Sequence, residues 1–95
     1  MERGAVKVRL FAALREIAGS SWVDADLPDP ADGTTLVEVL EAAYGEEFGR
    51  IARAGTVVVD GEPVTWDRRL DPRDEVALLP PVSGGTASAG ESPSG

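Results

Sequence analysis

The sequence predicts an α+β fold: a mixed sheet of four to five strands with one main helix across one face. Three observations carry this. The first and last strand candidates, residues 5–11 and 75–79, are both apolar enough to need central places in a sheet, yet the whole domain separates them. Between them, Leu36, Val39, Leu40 and Ala43 recur at helical period and give one helix an apolar stripe. The β-branched run Thr56-Val57-Val58-Val59 meets Asp60-Gly61, a strong hairpin-turn signal. Pairing the first and last strands in parallel beneath the helix gives a two-layer architecture.

The elements follow in order. Residues 5–11 alternate, with Val6, Val8 and Leu10 on one face and Lys7, Arg9 and Phe11 on the other, the pattern of a half-buried strand. Residues 11–18 are rich in helix formers, and Gly19 fits a C-cap. Residues 21–27 alternate again as a hairpin-like return, with Trp22, Asp24 and Asp26 opposite Val23, Ala25 and Leu27. Residues 28–33 form a loop by their Pro, Asp and Gly content. Thr34 or Thr35 is the expected N-cap of the main helix, with Glu38 at capping-box spacing from Thr35. That helix ends near Tyr44-Gly45, and Phe48 and Ile51 continue a second short helical piece to Gly55. After the Thr56 strand, Pro63-Val64 begins a short return, residues 66–74 are polar and turn-rich with Leu70 folding inward, and residues 75–79 form the final strand. The topology is that of a ubiquitin-like β-grasp sheet. A split βαβ fold competes, but it requires a second full helix after the third strand.

Composition narrows the chemistry. Ninety-five residues, 42% of them hydrophobic, fit one small domain with a single core. No cysteine means no disulfide, thiolate metal site or cysteine nucleophile, and no histidine removes the commonest general base and metal ligand. Neither cofactor nor metal is expected on this chain. Asp24 and Asp26 have strand spacing but lack the further ligands a metal needs. A formal charge of −8 opposes binding to phosphate backbones and suits a basic protein partner. No apolar run approaches the ~20 residues of a membrane span, and the N-terminus lacks a signal-peptide core. The cytoplasm is therefore the expected compartment.

The most informative stretch lies at the far end. The final strand runs into Pro80-Pro81, then Val82-Ser83-Gly84-Gly85. Consecutive prolines stop ladder bonding and favour an extended path, so the chain is expected to leave the fold there as an arm. From residue 80 to residue 85 that arm reaches at most ~20 Å. Gly84 and Gly85 lack side chains that would keep another protein's channel from closing on the backbone. The expected organisation is a domain over residues 1–85, with residues 86–95 a disordered tail.

These features resemble the sulfur-carrier β-grasp proteins, especially small subunits of molybdopterin synthase. The likeness rests on residues 10–19 after the first strand, Val59-Asp60-Gly61 at the hairpin, and residues 74–85 at the end. It implies that an ATP-dependent E1-like adenylyltransferase and sulfurtransferase adenylates the Gly85 carboxylate and exchanges it for a thiocarboxylate. The arm then enters the large synthase subunit, and its sulfur passes to a cyclic pterin precursor to form the dithiolene. The carrier is not an enzyme by itself. Ten residues follow Gly85, whereas family members end at the diglycine. Either a protease removes them, or they are an appended or fused remnant, or the carrier role is lost; the tail's accessible composition favours removal.

Phe11 and Leu79, with Pro80, Pro81, Val82 and Ser83, are the expected partner-binding residues; alternatively Phe11 is a core residue leading the helix. Pro63 is a weaker candidate for the same surface. Arg68, Arg69 and Arg73 read as solvated loop charges, and Trp22 and Trp66 as packing residues. Two other functions stay open. One is a carrier for cysteine, thiamine or another thio-product, or a modifier joined to lysines. The other is a ubiquitin-like interaction module that keeps its tail.

Overall fold

The computed structural model describes residues 3–81. The chain runs β1 (Arg3–Leu10), α1 (Ala12–Ala18), β2 (Trp22–Pro28), α2 (Gly33–Tyr44), α3 (Glu46–Ala54), β3 (Thr56–Val59), β4 (Glu62–Val64) and β5 (Val76–Leu79). The five strands form one sheet in the order β2-β1-β5-β3-β4. β5 lies parallel to β1, with Val8 opposite Val76 and Leu10 opposite Leu78, and antiparallel to β3. The last strand is therefore inserted between the first and third, in the topology expected from its apolar residues.

Alternation decides which face is covered. Val6, Val8, Leu10, Val23, Ala25, Leu27, Val57, Val59, Val76 and Leu78 all point to one side and are buried. Against them pack Leu14 from α1, Leu36, Val37 and Leu40 from α2, and Phe48 and Ala52 from α3. Leu70 also folds into this core from the loop before β5, and its N–H donates to the Ala31 carbonyl at 2.8 Å. The helical layer is broader than the expected single main helix, because α3 adds nine residues beside α2. Gly45 makes that corner possible: at φ 109 it sits where a side chain would be strained.

Two details of α2 differ from the sequence expectation. Its N-cap is Asp32, not Thr34 or Thr35; the Asp32 carboxylate accepts from the Thr35 N–H at 3.0 Å and from the Thr35 hydroxyl at 3.1 Å. Asp caps as well as Thr, and starting the helix at Gly33 tucks that residue beneath Trp66. The buried stripe is Leu36, Val37 and Leu40; Val39 is only half-buried and Ala43 is exposed, because α2 also turns toward α3.

The Thr35 N–H holds the Asp32 carboxyl below its ordinary value, and the Thr35 hydroxyl adds to this against the opposing effect of burial. A depressed folded value means that the stabilisation is complete above about pH 4 and is lost as pH falls through the lower folded value. Asp32→Ala is expected to cost about 1 kcal/mol at neutral pH. Asp32→Asn should keep most of the cap while losing less stability on acidification, as thermal melts at neutral and acid pH would report.

The hairpin formed as its residues specify. Asp60 and Gly61 both have positive φ, 52 and 84, the pairing of a type I′ turn. Asp60 also ties the hairpin to β5: its N–H donates to the Glu75 carbonyl at 2.8 Å, and its carboxylate accepts from the Glu75 N–H at 3.0 Å.

Candidate functional site: the open sheet face and the root of the arm

The three helices cover one face of the sheet and leave the other open. Strand register fixes what that open face presents. Trp22 lies opposite Arg9, Arg9 opposite Ala77, Ala77 opposite Val58, and Val58 opposite Pro63. These five residues form one rung across all five strands, apolar except for the arginine. The Arg9 guanidinium carbon stands 5.3 Å from the centre of the Phe11 ring and 5.5 Å from that of Trp22. Such cation–π contacts are worth about 0.5–1 kcal/mol at exposed sites, enough to hold two rings in place around one charge.

Phe11 follows β1 at the end of the sheet where β5 also finishes. It is half-buried and is not among the residues packed against the core, contrary to the core alternative. Trp22 corrects the sequence reading. It is not a packing residue; it is 42% exposed, while Trp66 packs partly against the core. The signal was present, since alternation sets Trp22 on the same face as Asp24 and Asp26. Pro63 is exposed at the far end of the same rung.

The residues at which the expected arm starts lie at the rim of this face. Leu79, the last residue of β5, is half-buried opposite Thr56 of β3; Pro80 is half-buried and Pro81 exposed. Val82, Ser83, Gly84 and Gly85, with the tail at 86–95, lie outside the described residues. β5 has neighbours on both sides, so Pro80 follows on from the middle of the sheet and not from an edge.

Elsewhere several charged residues have structural partners. Arg53 makes two hydrogen bonds to the Glu41 carboxylate, at 2.7 and 3.3 Å, joining α3 to α2. This pairing holds the Glu41 carboxyl below its ordinary value. Arg73 meets Asp71 at 3.2 Å, and Lys7 stands opposite Asp24 in the ladder. Arg68 and Arg69 are exposed. Among the described residues no group of three or more acidic side chains is arranged to hold a metal ion, and no helix is long and apolar enough to cross a membrane.

The ThiS family model matches residues 8–85, from within β1 to the second glycine of the pair. This chain belongs to the ThiS family. Its relatives include the molybdopterin synthase sulfur carrier subunit of Dictyostelium discoideum, 30% identical over 83% of this chain and 94% of that protein. Small archaeal modifier protein 1 of Haloferax volcanii is 33% identical, over 81% of this chain and 97% of its own length. The crystal structure of that modifier superimposes with a TM-score of 0.70 at 30% identity, covering 86% of this chain and all of its own. The chain is thus a small carrier protein with the ubiquitin-like β-grasp fold.

Proposed function

We propose that this protein is the sulfur carrier subunit of a molybdopterin synthase. What supports this most is that the family match runs through Gly85, on a segment leaving the central strand at Pro80. The 30%-identical relative that serves as such a subunit supports the pathway.

In this reading the domain of residues 1–85 is the carrier, and a protease first removes residues 86–95 to free the Gly85 carboxylate. An E1-like adenylyltransferase joins that carboxylate to AMP from ATP, releasing pyrophosphate. A sulfur nucleophile then displaces AMP and leaves a thiocarboxylate. A carboxylate resists substitution until it carries such a leaving group, so the catalytic groups, the ATP and any metal belong to the partners. Gly84 and Gly85 bring only bare backbone to the reacting centre. The charge of −8 suits cytoplasmic partners with basic docking surfaces and disfavours nucleic acid.

The open face serves as the docking surface for the large synthase subunit. Phe11, Leu79, Pro80 and Pro81 border the arm, with Trp22 and Arg9 beside them, so one subunit can grip the face while receiving the tip. Trp22→Ala is expected to weaken binding of the large subunit about tenfold or more by calorimetry. The melting temperature should change little, since Trp22 is exposed and lies outside the core cluster.

The deciding experiment is the intact mass of the chain from its native cell. A species ending at Gly85, heavier by one oxygen-to-sulfur exchange, is the expected result; a chain that keeps Thr86 while the pathway runs would refute the proposal. A second reading, a modifier joined through Gly85 to lysines, draws on the 33%-identical archaeal modifier. It predicts isopeptide adducts in place of copurification with a large synthase subunit.

A further inference from the structure

Gly55 closes α3 and precedes β3 at φ −100 and ψ −143. Whatever that backbone shape favours, the space around it also demands a residue without a side chain. A Cβ placed there would lie 2.9 Å from the carbonyl carbon of Leu79 and 3.0 Å from that of Pro80, with the Leu79 carbonyl oxygen nearer still. All three are backbone atoms at the root of the arm, and none is the end of a side chain that could swing aside.

We propose that Gly55 is a positioning residue: the bare backbone at the α3–β3 corner is the seat that sets the direction in which the arm leaves the sheet. This rests on the carrier reading above. With a side chain at position 55, either the corner or the arm must move. The corner is anchored on both sides, by Ala52 in the core and by Val57, which pairs with Val64 and Leu78. The arm root is held less firmly, because Pro80 has no N–H to give to the ladder and the strand ends at Leu79. The arm yields first. A small change of direction at residue 80 grows along the reach to Gly85, and misplacing a reacting group by about 1 Å can cost a hundredfold in rate.

The test compares wild type with Gly55→Ala. In the full chain, amide and carbon chemical shifts should move most at Leu79, Pro80 and Pro81 and least at Ala52 and Val57. Among the described residues β5 is the last element and ends at Leu79, so a chain terminated at Gly85 keeps the described core. In that chain, with the E1-like enzyme of the same organism and ATP, pyrophosphate exchange at saturation should fall about ten- to hundredfold. The loss is read at saturation, so it reports the turnover step and not the tightness of docking, and adding Pro80→Gly should recover part of it by loosening the root. Wild-type turnover in Gly55→Ala, shift changes centred on α3, or failure of the variant to fold would each overturn the proposal. If the wild-type chain ending at Gly85 is itself never adenylated, the carrier reading fails, while the shift map still decides whether Gly55 seats the arm.

Discussion

Deleting Gly85 from the chain that ends there should abolish thiocarboxylate formation and sulfur transfer while leaving the melting temperature within about 3 °C of the parent. On the carrier reading the two readouts separate, because the chemistry falls at Gly85 and the described fold ends before it. Among the described residues every buried core side chain lies between Val6 and Leu78, and the last ladder pair is Thr56 with Leu79. Removing Gly85 leaves all of these contacts in place. It does draw the terminal carboxylate back by ~3.3–3.6 Å, the length of one residue, and leaves Gly84 where Gly85 should react. An adenylating site needs the attacking carboxylate aligned within about 3–3.5 Å of the phosphorus, so a full-residue retreat removes the reaction and does not merely slow it. Mass spectrometry after incubation with ATP, the activating enzyme and a sulfur donor reads the first outcome, and a thermal melt reads the second. A large loss of stability would mean that the segment after Pro81 packs into the domain, contrary to the expected arm.

How much of this was written in the sequence depends on the range of each interaction. The parallel pairing of β1 with β5 was legible because two apolar strands at opposite ends both needed a central position, and only an insertion topology supplies it. The Asp60-Gly61 turn was legible because its signal is local. The α2 cap was misplaced because Asp32, Thr34 and Thr35 are all good caps; Trp66 settles the choice from a distant loop by packing over Gly33. Phe11 stayed ambiguous for a similar reason: it belongs to a strand pattern and a helix start at once, and only the stacking of Arg9 against its ring places it on the open face. Gly55 was read as a helix stop, which it is. Its contact with Leu79 and Pro80 follows from the β3–β5 register, and no local pattern around residue 55 could announce it.

The opposite dissociation of stability from transfer is expected at Phe48. It is the largest fully buried side chain, on the inner side of α3, with its ring centre 5.5 Å from that of Tyr44. Phe48→Ala removes that ring from a site flanked by three helices and should cost about 3–5 kcal/mol. A domain of this size has on the order of 5–10 kcal/mol in total, so the variant should stand near the edge of unfolding. At about 4–8 °C per kcal/mol, the melting temperature should drop by about 15 °C or more. Phe48→Leu, which keeps most of the volume, should lose less than about 2 kcal/mol. Well below its melting point Phe48→Ala should still be adenylated at close to the parental rate, because the helical layer lies across the sheet from the open face. A Phe48→Ala chain that stays folded but loses adenylation would show that the helices, and not only the open face and the arm, take part in recognition by the partner.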